Sequence, residues 1–138
     1  MEVTRIALEH TGRFSRLILD YINQDEKLKP FYSLDHTIEN YGEKIRNRSQ
    51  FPIDRVLLAD SLLNQYMPIG GAEYSVLKNI ESLRKESTFT VTTGHQLNIF
   101  TGPLYFVYKI LHTIKLAEEL RKAYPNNHFV PIYWMNSE

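Results

Sequence analysis

At residue 88 the hydrophobic pattern of this chain changes its period, and that change limits the folds open to it. "TFTVTT" (88–93) is β-branched and aromatic, the composition of a strand. From there Leu104, Val107, Ile110, Leu111, Ile114, Ala117 and Leu120 follow helical spacing over about 18 residues. "HFVPIYWM" (128–135) is a second strand-like run, in which Pro131 pushes towards an edge or a bulge. Strand, long helix and strand within about 45 residues make a βαβ unit, with parallel strands and a right-handed crossover. Two strands do not form a stable sheet alone. The others must come from the N-terminal region, a partner chain or further sequence, and the last is expected. The closing "FVPIYWMNSE" points the same way, because a chain that halts just past a buried strand reads as a piece of a longer protein.

Residues 1–87 read as a mainly helical region, and 88–138 as the start of an α/β core. Phe14, Leu17, Ile18, Tyr21 and Ile22 keep helical spacing, which fades before Pro30. A second helix is predicted through Ile38, Tyr41 and Ile45, with Ser33 or Asp35 as N-cap and Gly42 as a weak point. A third starts with Pro52 in its first turn and runs to Tyr66, where "MPIGG" breaks it. Tyr74, Leu77, Ile80 and Leu83 mark a fourth. No repeat or low-complexity linker separates the two regions.

Sixteen basic and sixteen acidic side chains cancel, so no overall positive field draws the chain onto nucleic acid or an anionic membrane. Apolar residues at 43% and charged residues at 23% are globular values. Without cysteine there is no disulfide, thiolate metal site or cysteine nucleophile, which fits a cytoplasmic protein. No apolar run approaches the ~18 residues of a membrane span, and the charged N-terminus is unlike a signal peptide. His10, His36, His112 and His128 are scattered without metal-ligand spacing.

The chemistry-bearing stretch is "TGHQLNIFTGPLYFVYK" (93–109). In open parallel sheets, ligands collect beyond the carboxyl ends of strands, where loops meet helix N-termini. Residues 94–102 are predicted to be such a loop. Gly94 there allows positive φ or close backbone approach. Thr101 and Gly102 are candidate N-caps, and Pro103 suits the first helical turn. The helix amides then face the loop and favour phosphate or carboxylate. His95 and Gln96 offer hydrogen bonds, Thr92, Thr93 and Thr101 offer hydroxyls, and Lys109 must reach back along the helix. Residue types alone also fit a plain connection, with Asn98 capping a turn and Phe100, Tyr105, Phe106 and Tyr108 packing. The P-loop and G-x-G-x-x-G orders are both absent.

As a string, this stretch resembles the cysteine-adding enzymes of bacillithiol synthesis. That family carries T-G-x-Q-x-x-x-F-T-G-P-L-Y, matched by Thr93, Gly94, Gln96, Phe100, Thr101, Gly102, Pro103, Leu104 and Tyr105. A basic residue four positions on matches Lys109, and a V-P-[IV]-[FY]-W-x-x-[ST]-E strand matches Pro131, Trp134 and Glu138. Many members carry Gln where this chain has His95. The similarity covers residues 79–138 well and the helical part loosely.

It implies a Rossmann-like core, incomplete in this chain, together with a coiled coil and a homodimer in the full-length protein. The implied reaction is ligation of cysteine to glucosaminyl malate, with ATP or another adenine nucleotide as the activating group and no metal site. The implied binding residues are Thr93, Gly94, His95, Gln96, Thr101, Gly102, Pro103 and Lys109. No catalytic residue is assigned, since the related synthetases' His-x-Gly-His signature is reduced here to Gly94-His95. Family chains continue for several hundred residues, beginning with an Asp-His-Asp run, so this piece alone is expected to be inactive. Two alternatives stand beside that expectation: another nucleotide-binding α/β ligase or nucleotidyltransferase-like enzyme, and a non-catalytic helical interaction module.

Overall fold

Two helices of this chain, starting at Arg16 and Arg55, are opened by a short hydroxyl or acidic side chain. In the computed structural model, which describes residues 2–100 and 102–136, Ser15 accepts from the Ile18 amide at 3.4 Å and opens α1 (Arg16–Ile22). Asp54 accepts from Leu57 at 2.9 Å and opens α3 (Arg55–Tyr66), so Pro52 lies ahead of the helix and not in its first turn. The intervening α2 (Tyr41–Ser49) starts later than the predicted Ser33 or Asp35 cap, after a 3₁₀ turn at Ile38–Asn40. Its Gly42 N–H donates to the Tyr124 hydroxyl at 2.8 Å, which satisfies one amide that helix geometry leaves unpaired. A 3₁₀ turn, Met67–Ile69, and two glycines of positive φ then lead to α4 (Tyr74–Ser82).

The chain divides into two units, Met1–Asn40 and Tyr41–Glu138. The first contains α1 and 3₁₀ turns, and the α1 side chains Leu17, Ile18, Tyr21 and Ile22 are all exposed. Tyr21 packs edge-on against Tyr32, with ring centroids 5.5 Å apart.

The second unit holds α2–α4 together with the βαβ elements, β1 (Thr88–Gln96), α5 (Leu104–Ala123) and β2 (His128–Asn136). β1 and β2 are parallel and pair from Thr88–His128 through to Gln96–Asn136. A helical region followed by a parallel βαβ unit is therefore the architecture, as the change of period requires. Pro131 is tolerated because His128 donates to Ser87, at 2.9 Å, and side alternates along a strand. The missing N–H of Pro131 thus falls on the outer edge, away from β1.

Buried side chains gather where α3, α4 and α5 meet the start of the sheet: Ala59, Ile80, Leu83, Phe89, Leu120 and Phe129. Three arginines close the margins. Arg121 donates twice to the Phe129 carbonyl, at 2.9 and 2.6 Å, and fastens the end of α5 to β2. Arg55 reaches the carbonyls of Leu83 and Thr88 at 3.0 and 3.1 Å, holding the turn into β1. Arg84 bridges Glu81 and Asp60.

Thr88 is 2% exposed and its hydroxyl has no partner among the described residues. An unpaired buried hydroxyl costs on the order of 1–3 kcal/mol. Thr88→Val is therefore expected to raise unfolding free energy by about 1 kcal/mol, read from the shift in urea midpoint at constant slope.

His128 titrates below the ordinary imidazole value, first because burial disfavours the cation and then because Arg121, Lys78 and Lys85 repel it. As pH falls, the unfolded chain takes this proton first, so stability is full above about pH 6.5 and declines below it. Replacing His128 by Asn should reduce the loss of urea midpoint between pH 7.5 and 5.5.

Candidate functional site

The carboxyl end of β1 is longer than its composition suggests. Gly94, His95 and Gln96, predicted as loop, continue the strand opposite Trp134, Met135 and Asn136. Pairing overrides weak strand propensity here, because β2 supplies a ladder for each of the three residues. Gly94 makes this possible by close approach and not by positive φ. A β-carbon there would lie 2.9 Å from the Trp134 carbonyl oxygen and 3.1 Å from Trp134 Cβ. The connecting loop therefore spans only 97–103.

That loop turns on Gly102, whose φ is +64° and whose N–H donates to the Ile99 carbonyl at 3.1 Å. Gly102 is not the helix cap. Pro103 occupies that position, extended at φ −70° and ψ 154°, and its carbonyl accepts from Phe106 at 2.9 Å. Proline has no side-chain acceptor, so the first amides of α5 receive no side-chain cap. Thr101 lies outside the described residues.

Two side chains one turn apart on α5 face the end of β1. The Lys109 ammonium donates to the Gly94 carbonyl at 2.6 Å, so it does reach back to the strand. The Tyr105 hydroxyl lies 2.6 Å from His95 Nε2. Spacing of i and i+4 puts both on one helix face. On the other side of the imidazole, His95 Nδ1 lies 2.9 Å from the Asn98 amide nitrogen, which also donates to the Gln96 carbonyl at 2.9 Å. The His95 ring is further wedged against Phe106, which meets Tyr133 edge-on at 5.4 Å. Tyr133 in turn donates to the His95 carbonyl at 3.3 Å.

Of the predicted site residues, Gly94, His95, Gln96, Gly102, Pro103 and Lys109 converge on this end of the unit. Thr93 lies farther back, in an apolar cleft of about 200 Å³ with Ile110, Ile114 and Tyr133. Asn98 and Tyr105 were assigned to a turn and to packing, yet both hydrogen-bond His95. The i, i+4 relation of Tyr105 to Lys109 is the signal that marks Tyr105. Phe100 and Tyr108, predicted to pack, are exposed, and Phe100 has a φ of 53°.

The electrostatics favour an anion. Between Glu86 and Glu118 the chain contains no aspartate or glutamate. Among the described residues Lys109 forms no ion pair with any carboxylate. A half-buried ammonium and helix amides without a side-chain cap are both groups that can donate to phosphate or carboxylate oxygens.

A parallel βαβ unit with such a loop at the carboxyl end of its first strand defines a Rossmann-like α/β protein. The model of the family "Bacillithiol biosynthesis BshC, N-terminal Rossmann-like domain" matches residues 1–138, and the chain belongs to that family. Its relatives include proteins named "Putative cysteine ligase BshC" from Flavobacterium johnsoniae, 47% identical over 96% of this chain, and Cytophaga hutchinsonii, 42% identical over 99%. One from Bacillus licheniformis is 29% identical over the whole chain. The chain spans 25%, 26% and 24% of these three proteins, about a quarter of each.

The two glycines of the site separate by mechanism. Gly94→Ala should destabilise the protein by about 1–3 kcal/mol, because the strands must part to admit the methyl group. Gly102→Ala should cost about 1–2 kcal/mol for the left-handed backbone alone. Its β-carbon would also lie 2.8 Å from Asn98 Cβ and Cγ, adding to the cost. Denaturant unfolding measures both.

Proposed function

We propose that this chain is the N-terminal part of a cytoplasmic ligase that joins cysteine to glucosaminyl malate through an amide bond, as a step of bacillithiol synthesis. The loop between β1 and α5 binds an anionic group of ATP, another adenine nucleotide or the substrate. The observation that carries the site is the Lys109 ammonium, anchored 2.6 Å from the Gly94 carbonyl with no carboxylate partner among the described residues. The family match and the named relatives support the reaction class.

Amide formation from a free carboxylate requires one carboxylate oxygen to become a leaving group, and a nucleotide phosphate supplies that activation. The residues of this chain contribute binding and orientation. Lys109 retains donors beyond the one spent on Gly94. The α5 amides point into the loop, and the short hydrogen bonds around His95 hold the loop in one conformation. Such preorganised donors act on developing negative charge without rearrangement. The rest of the pocket, a coiled coil and a homodimer belong to the remaining length of the full protein in this proposal.

The test uses the full-length protein with cysteine, glucosaminyl malate and ATP, product being followed by mass spectrometry. Lys109→Met should lower kcat/KM by about 10²–10³-fold, the range for loss of one preorganised donor. Residues 1–138 alone should give no turnover. Wild-type rates in the Lys109→Met protein would overturn the site assignment, and absence of ligation by the wild type would overturn the reaction.

A further inference from the structure

We propose that the cleft between α2, α3 and the open edge of β1 is a second binding site, which takes a small amphipathic anion, a carboxylate or phosphate group on an apolar body. It is separate from the loop, which lies at the far end of β1.

The cleft encloses about 250 Å³, room for about eight waters at ~30 Å³ each. Ile45, Ile53, Leu58, Phe89 and Leu120 give it apolar walls. Its charge is one-sided. Lys44, Arg48 and Arg55 line it, and none of the described lining residues is an aspartate or glutamate. Lys44 and Arg48 stand at i and i+4 on one face of α2. Each rests on an aromatic ring, Lys44 at 4.4 Å from the Tyr41 centroid and Arg48 at 4.5 Å from that of Phe51. A ring face holds a cation in place without cancelling its charge. Among the described residues, Lys44, Arg48 and Arg55 form no ion pair with a carboxylate. Like charges around one small cavity repel one another until an anion enters it.

The β1 side of the cleft supplies backbone and hydroxyl groups. The His128 amide donates to the Ser87 carbonyl, so Ser87 and every second residue after it turn their backbone groups to β2. Thr88 and Thr90 turn theirs outward. Arg55 takes the outward Thr88 carbonyl at 3.1 Å and the Leu83 carbonyl at 3.0 Å. The guanidinium is thereby fixed in the wall of the cleft with N–H groups to spare. Next along the same edge stands the Thr90 N–H.

Thr88 is the polar group in that wall that lacks a partner. It is 2% exposed, it lines the cleft, and its Oγ1 has no hydrogen bond among the described residues. Native chains rarely leave a buried hydroxyl so. An oxygen of a bound anion supplies the acceptor, and Arg55, Lys44 and Arg48 surround the same charge. The apolar walls then require a hydrocarbon or aromatic body behind the anionic group.

The test titrates octanoate and octyl phosphate into the full-length protein by calorimetry, with octylamine as the cation of matching length. Both anions should bind one per chain, and octylamine at least tenfold more weakly. Lys44→Met and Arg48→Met should each weaken octanoate about tenfold, the scale of one hydrogen bond to a charged group. Leu58→Trp, at a partly exposed position, fills the cleft and should abolish binding. Thr88→Val should bind about fivefold more weakly although its urea midpoint rises, an opposition that a purely structural threonine would not show. Octanoate should neither compete with ATP nor lose affinity in Lys109→Met, which sets the two sites apart. Thermal unfolding confirms that each variant is folded.

Octylamine binding as tightly as octanoate, or wild-type affinity in Lys44→Met and Arg48→Met, overturns the anion selectivity. Octanoate retained by folded Leu58→Trp, or lost in Lys109→Met, overturns the location. Unchanged affinity in Thr88→Val removes the hydroxyl from the site. Absence of binding to the wild type overturns the whole proposal and leaves the loop, which is tested with ATP, standing.

Discussion

The parallel pairing of β1 with β2 is the constraint on which the rest of the site depends, and at Gly94 it leaves no room for a side chain. There the neighbouring strand lies so close that a single methyl group would strike the Trp134 carbonyl. With no side chain in the way, the ladder continues for two residues beyond Gly94. The continuation fixes the direction of the Gly94 carbonyl and the face on which the His95 ring stands. Both groups then meet α5, whose Lys109 and Tyr105 lie one turn apart and bond to consecutive residues of the strand.

The loop itself contributes little apolar burial, since Leu97, Ile99 and Phe100 are exposed. Its order comes from hydrogen bonds and from backbone geometry: the left-handed Gly102, the Asn98 amide and the His95 ring. Each net hydrogen bond is worth only about 1 kcal/mol. Several of them converging on one imidazole are enough to select a single arrangement of a short segment. The opposite end of the unit is different. There Phe89, Phe129, Leu83 and Leu120 are buried, and the arginines fasten turns through backbone carbonyls. Stability is concentrated at one end of β1 and the chemistry-bearing groups at the other.

Much of this was legible from residue order. The helix from Leu104 matches α5, which runs 20 residues to Ala123, and both strands lie where the β-branched runs fall. Boundaries were less legible. The second and third helices start later than their predicted caps, because Asp54 makes the N-cap bond that Pro52 cannot, and the residues before Tyr41 form a 3₁₀ turn. Strand β1 ran past its prediction because Gly, His and Gln have no strand preference of their own, and pairing with a partner 40 residues away decided the matter. The helix cap fell on Pro103 and not on Gly102, since Gly102 was needed for the turn around Asn98.

By itself the sequence determined the element types, the βαβ order and the composition of the loop, since these follow from hydrophobic period and from glycine and proline placement. It also held the motif, shared with the family, in which Gly94, Gly102 and Lys109 stand. Only the tertiary structure decided which of those groups touch. His95 joined to Tyr105 and Asn98, and Lys109 to Gly94, are contacts that require a strand, a loop and a helix to be folded against one another. Residue types specify what a side chain can donate or accept, but distance and direction come from packing.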